Sequence, residues 1–235
     1  MTHDNQIEST KSSGDEMQSL DKDIDAKKKR VKKIIDVFRK LYPSPKCHLN
    51  FNSPFELLIG CILSAQCTDE RVNQVTRALF KKYRTARDYA KASPQELEND
   101  IRTTGFFRNK ARSIINCTKI LDEKYSGEVP FVMEKLTELD GVGRKTANVV
   151  LGNAFGKPAI IVDTHIRRLA RRLDLSNKKD PDRIEFDLRD LVPRDQWTYF
   201  SLALGDHGRT ICKARKPNCA ECKISHLCPS AWTFG

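Results

Sequence analysis

No apolar stretch of this 235-residue sequence is long enough to cross a membrane. The longest, Leu57 to Leu63, is interrupted by Gly60 and falls far short of the ~20 residues a spanning helix needs. The start of the chain has no basic segment leading into an apolar one, and it is too acidic for a transit peptide, so a cytoplasmic protein is expected. Strand signals are nearly missing as well. The single β-branched run, Ala159-Ile160-Ile161-Val162, is four residues long and cannot found a sheet by itself. Gly/Ser-rich linkers and repeats of fixed period are also absent. An all-α fold is expected.

Charge is plentiful and uneven. Lys and Arg total 42 against 31 Asp and Glu, a net charge of +11. Residues 1 to 25 hold seven acids and two lysines, net −5, which leaves +16 on residues 26 to 235. A body so basic suits a polyanionic partner, although a basic protein without one has the same composition. The first 25 residues carry few large apolar groups and are expected to form a disordered acidic tail. From Ala26 the pattern changes. Val31, Ile34, Ile35, Phe38 and Leu41 form a helical stripe behind a basic face. Ser53-Pro54-Phe55-Glu56 signals a helix start, with a capping Ser, Pro at the first helical position and Glu three residues after the cap. Ser93-Pro94-Gln95-Glu96 repeats the device, and Asp180-Pro181 opens the stripe Ile184, Leu188, Leu191. Further helical stripes run Val72, Val75, Leu79, Phe80 and Ile114, Thr118, Leu121, Tyr125.

Eight cysteines occur. Cys47, Cys61, Cys67 and Cys117 are scattered and read as structural thiols. Cys212, Cys219, Cys222 and Cys228 form a C-x6-C-x2-C-x5-C array, the spacing of a metal site. Four thiolates on one compact loop suit an iron-sulfur cubane, and zinc is the competing reading. The loop between the first two ligands contains Lys213, Arg215 and Lys216, which either clamp a phosphate backbone or form a solvated surface.

Leu139-Asp140-Gly141-Val142-Gly143 separates two helical segments. Gly141 and Gly143 permit a tight hairpin with exposed amides, and the following helix points its positive end at the same spot, so the hairpin is a phosphate seat. Arg144 and Lys145 fall in the first turn of that helix, where the macrodipole disfavours cations by a few tenths to about 1 kcal/mol. A bound phosphate would offset this for one of them. Lys145 is then a second phosphate contact or a nucleophile; an amine nucleophile needs its neutral form, which a neighbouring cation such as Arg144 favours. Eighteen residues later stands Asp163-Thr164-His165, ahead of a helix carrying Arg167, Arg168, Arg171 and Arg172. Asp163 is either a helix cap or a carboxylate facing a cleft as base or electrostatic stabiliser.

Taken together, Leu139-Asp140-Gly141-Val142-Gly143-Arg144-Lys145-Thr146-Ala147-Asn148, then Val162-Asp163-Thr164-His165, then the four-cysteine array resemble the endonuclease III family of helix-hairpin-helix DNA glycosylases over about residues 28 to 229. The resemblance implies two helical domains with a DNA-binding cleft between them. One is a six-helix barrel with the helix-hairpin-helix over 47–157; the other, the iron-sulfur cluster domain, is built from 26–46 and 158–235. It implies a bifunctional glycosylase and AP lyase of base excision repair, acting as a monomer, nucleoid-associated in a bacterium, on double-stranded DNA with damaged pyrimidines or abasic sites. Lys145 matches the Schiff-base nucleophile, Asp163 its catalytic partner, and the four cysteines the ligands of a [4Fe-4S] cluster. Gln66 matches the residue that fills the gap left by a flipped base, and Phe106 stands where relatives often wedge a Leu into the opposite strand. Asp140 replaces the family's usual Pro, placing an acid near the phosphate seat. A monofunctional glycosylase of the same superfamily would lack the hairpin lysine; a non-enzymatic binding module would need neither Lys145 nor Asp163.

Overall fold

The computed structural model describes the backbone of residues 8 to 233 and the side chains from Asp23 onward. The described residues contain eleven α-helices and no strand: α1 (Glu8–Leu41), α2 (Pro54–Leu63), α3 (Asp69–Lys82), α4 (Ala86–Ala90), α5 (Pro94–Asp100), α6 (Phe107–Tyr125), α7 (Met133–Thr137), α8 (Arg144–Ala154), α9 (Thr164–Arg172), α10 (Pro181–Leu191) and α11 (Trp197–Thr210). Ala159 to Val162 is buried but forms no strand, and the described residues hold no other strand for it to pair with. None of these helices is long and apolar enough to cross a membrane.

The chain divides into two compact units. One comprises Lys46–Ile161; the other runs up to Pro45 and resumes at Val162. The second boundary falls beyond the expected residue 157 because Ala159 is buried in the core of the first unit.

In the Lys46–Ile161 unit, α2 is the central element. Its residues from Leu57 to Leu63 are all buried, and α3, α6 and α8 pack against it. Each fully buried Leu or Ile here contributes roughly 1.5–3 kcal/mol relative to exposure, which explains an apolar helix that lacks a polar face. Its start follows the sequence signal. Pro54 is the first residue, the Ser53 hydroxyl accepts from the Glu56 amide at 3.1 Å, and the Glu56 carboxylate accepts from the Asn52 amide at 2.6 Å. The Ser93 repeat holds only in part. Helix α5 does begin at Pro94, but the Ser93 hydroxyl does not cap it and meets Gln95 instead, while Glu96 pairs with Lys82 at 2.7 Å.

In the other unit, Val31, Ile34, Ile35 and Phe38 of α1 are buried, and α1 packs on α10 and α11. Leu41, the last member of that stripe, is exposed. The disorder expected of residues 1 to 25 is corrected by this helix for the stretch from Glu8; residues 1 to 7 lie outside the described residues. Once the core-packed turns of α1 have formed, adding each further turn is far less costly than nucleation, so a segment with little apolar surface extends an existing helix. Asp180 caps α10 by accepting from the Arg183 amide at 3.0 Å.

Candidate nucleic-acid interface and cysteine site

The hairpin joins α7 to α8, and its two glycines do different things. Gly141 has φ +78°, and a Cβ there would stand 2.9 Å from Ser113 Cβ, so both conformation and packing require glycine. Gly143 has φ −86° and nothing within 4 Å of a Cβ position, so the space in front of α8 is open. No side chain caps α8, which leaves its positive end facing that space. Gly141→Ala is therefore expected to cost about 2–3 kcal/mol, from left-handed strain plus the clash. Gly143→Ala is expected to cost under about 1 kcal/mol yet weaken DNA binding by filling the open approach. Thermal melts and duplex binding of the two variants check this contrast.

Asp140 is turned toward α6. Its two carboxylate oxygens accept from Ser113 Oγ at 3.2 Å and Asn116 Nδ2 at 2.9 Å, both on α6. This acid thus staples the hairpin to α6, through partners 27 and 24 positions away that no local pattern signals.

Lys145 is exposed on the first turn of α8. Helix α8 packs on α2, and the Lys145 charge acts on the buried Cys61 thiol, partly opposing the burial that pushes that thiol far above its ordinary value. Cys61 is thus an inert neighbour of the amine. Gln66 and Phe106, the two residues matched to base replacement and wedging, are both exposed, and both adopt left-handed backbone at φ 52° and 49°. Gln66 occupies a tight turn between α2 and α3, closed by the Cys67 amide donating to the Ser64 carbonyl at 3.1 Å. Phe106 caps α6 and is 61% exposed, a large ring left in solvent.

In the second unit, Asp163 caps α9. Its Oδ1 accepts from the Ile166 amide at 2.8 Å, and no described residue donates a hydrogen bond to Oδ2. The capping role is real, and it occupies one oxygen only. His165 follows; burial holds its pKa below the ordinary value.

Cys212, Cys219, Cys222 and Cys228 are free thiols lining one cavity. Four cysteine sulfurs lining one cavity form an all-thiolate donor set, which suits an iron-sulfur cluster. Arg172, 8% exposed, donates from Nη1 to Cys212 Sγ at 3.2 Å, and His207 Nε2 lies 3.5 Å from Cys222 Sγ. Burial lowers His207 to about 4 and raises the Cys222 and Cys228 thiols. Neutral imidazole and guanidinium are suited to donate to thiolate sulfur.

Sequence reading missed the scaffold of this site. Arg168 donates to the carbonyls of Gly208 and Cys212, and Arg172 to those of Lys213 and Ala214 at 2.8 Å each. These arginines hold the cysteine loop, whereas Arg167 and Arg171 face solvent. Their i, i+4 spacing beside Ile166 and Leu169 was the available signal, since it places them at the edge of the buried face. With its carbonyls gripped from below, the loop leaves Lys213, Arg215 and Lys216 exposed.

Comparison with known proteins matches two family models. The HhH-GPD superfamily base excision DNA repair protein covers residues 59–194, and the iron-sulfur binding domain of endonuclease III covers residues 212–228. Endonuclease III of Synechocystis sp. is 51% identical over 92% of this chain and 99% of its own length. Endonuclease III of Bacillus subtilis is 44% identical over 85% of this chain and 92% of its own. Among solved structures, a trapped endonuclease III-DNA covalent intermediate superposes with a TM-score of 0.84 at 44% identity, covering 88% of this chain and 97% of that one.

Proposed function

Because the chain belongs to the endonuclease III family of the HhH-GPD superfamily, we propose that Lys145 is its Schiff-base nucleophile, Asp163 the carboxylate that assists it, and oxidised pyrimidines its substrates. The protein is a bifunctional DNA glycosylase and AP lyase of base excision repair that binds DNA and carries a [4Fe-4S] cluster. Cys212, Cys219, Cys222 and Cys228 are assigned as the cluster ligands. Once bound, the cluster supplies a crosslink that holds the basic loop.

The observation that carries the lysine assignment is its place: an exposed amine on the first turn of α8, beside the open face of Gly143. A helix start disfavours cations, so this placement serves a ligand rather than the helix. A phosphate seated on the amides of the hairpin, with Gly141, Gly143 and Arg144 around it, brings the sugar of the flanking nucleotide to Lys145.

A damaged base is out of reach inside the duplex and must be flipped out, at a cost of a few kcal/mol that is smaller for a lesion that stacks poorly. Gln66 fills the gap and Phe106 wedges the opposite strand. The Lys145 amine, in its neutral form, attacks the anomeric carbon; the carbon-base bond breaks and the base leaves with its electron pair, taking up a proton. The Asp163 carboxylate stabilises the cationic sugar as this happens. The lysine nitrogen gives up a proton, and its lone pair then opens the sugar ring: the C1′–O4′ bond breaks, O4′ takes up a proton, and an iminium forms. Loss of a 2′ proton from that iminium expels the 3′ phosphate, nicking the strand 3′ to the lesion, and water releases the lysine. Lys213, Arg215 and Lys216 hold the backbone, and the enzyme acts as a monomer.

Incubation with a duplex bearing one thymine glycol is the direct test. With borohydride, a covalent protein-DNA adduct is expected, and without it a nicked product. Base release without adduct or nick would instead describe a monofunctional glycosylase. Asp163→Asn separates the two roles of that residue. Asn caps a helix about as well as Asp, so the melting temperature should hold while turnover falls on the order of 10²-fold or more. Near-normal turnover would leave Asp163 as a cap alone.

A further inference from the structure

Within the Lys46–Ile161 unit, α2 packs on α6, and α3 packs on the short 3-10 turn Arg102–Thr104 that leads into α6. Lys110, in the first turn of α6, acts on the Cys67 thiol next to Gln66, so the corner joining α2 to α3 lies near the one joining this turn to α6. Gln66 tips the first and Phe106 the second, each in the left-handed region. Such backbone costs an L-residue about 1–3 kcal/mol and persists only where the surroundings impose it.

One side chain supplies that constraint from within. Lys110, in the first turn of α6, is 5% exposed, and its Nζ donates to the Thr104 carbonyl at 2.7 Å. Thr104 is itself buried, and its hydroxyl donates to the Ile101 carbonyl at 2.8 Å. The Lys110 amide closes on the Phe106 carbonyl at 3.1 Å. The strand of backbone entering the Gly105-Phe106 corner is thus gripped by the helix that leaves it. Lys110 also feels the Cys67 thiol, next to Gln66, which opposes the lowering of its pKa by burial. Methionine would fill the same space without a desolvation cost, so packing does not account for an ammonium here.

We propose that Lys110 is a positioning residue for base extrusion: by gripping the Thr104 carbonyl it holds the Gly105-Phe106 corner in the register that opposite-strand wedging needs, beside the turn that carries Gln66. This rests on the roles given to Gln66 and Phe106 above.

The test uses full-length holoprotein and a duplex with a tetrahydrofuran abasic analogue opposite 2-aminopurine, whose fluorescence rises when that base is estranged. Lys110→Met should slow the rise and lower kcat on thymine glycol by about tenfold or more, the scale of a misplaced reacting geometry. KM and the Kd for undamaged duplex should stay within about twofold. Lys110→Gln keeps an N–H for the Thr104 carbonyl but no charge; it should recover part of the effect, leaving the rise about threefold slow. Phe106→Ala is the control and should suppress the rise.

A wild-type rise in Lys110→Met beside a suppressed one in Phe106→Ala overturns the clamp and spares the wedge. A wild-type rise in Phe106→Ala overturns the wedge and the clamp with it. Equal defects in the Met and Gln variants with weakened binding to all duplexes would make Lys110 merely structural and also overturn the inference. Should Lys110→Met fail to melt cooperatively, Lys110→Gln decides, since a wild-type rise in that variant is incompatible with the proposal.

Discussion

Lys145→Ala is expected to eliminate both the borohydride-trapped adduct and the strand nick, with turnover falling on the order of 10⁴-fold or more, as for removal of a covalent nucleophile. Stability should be unchanged or slightly higher. The lysine is exposed, and its removal relieves an unfavourable charge at the start of α8. Binding to a duplex with an abasic analogue should weaken only slightly, because the Gly143 face and the metal-anchored loop remain. Gel analysis of adduct and nick, together with a binding isotherm, checks all three. Strand cleavage retained by pure Lys145→Ala protein would sink the nucleophile assignment. A variant that loses binding as much as turnover would make Lys145 a phosphate contact instead.

The second large effect is expected in the other unit. Cys219→Ala should abolish the visible absorbance of the iron-sulfur cluster and lower the melting temperature, because metal binding and local folding are coupled. The loop carrying Lys213, Arg215 and Lys216 then loses one of its two anchors, the cluster, while Arg172 still holds the carbonyls of Lys213 and Ala214. Affinity for duplex DNA should fall tenfold or more near physiological salt. The slope of log affinity against log salt should flatten by about 0.9 for each phosphate that is no longer neutralised, up to ~2.7 for three. Titrations at several salt concentrations measure it. An unchanged slope in cluster-free protein would return the three cations to an ordinary solvated surface.

Where the chemistry is local, residue pattern and physical chemistry agree. Helix starts marked by Ser53-Pro54 and Asp180-Pro181 occur where the signals stand, because capping involves residues three or four apart. The stripes of α1, α3 and α6 supply buried residues because a 3.6-residue period decides which face can leave water. The Ser93 signal misled in part, since a nearby Gln95 competed for the hydroxyl. The expected disorder from Glu8 onward misled more, since composition says whether a segment can fold alone and not whether a packed helix extends through it.

The helical class, the hairpin with its lysine and the cysteine array are thus legible in the order of residues alone, because all three are short-range patterns of spacing and conformation. What surrounds them is settled by packing. Asp140 faces α6, Arg168 and Arg172 hold the cysteine loop, and Lys110 turns inward to the Thr104 carbonyl. Most of these partnerships join residues far apart in the chain, and even Lys110 and Thr104 meet only because a 3-10 turn and α6 fold back on each other. A polar side chain takes the partners that burial leaves it, and those partners exist only once the helices have packed.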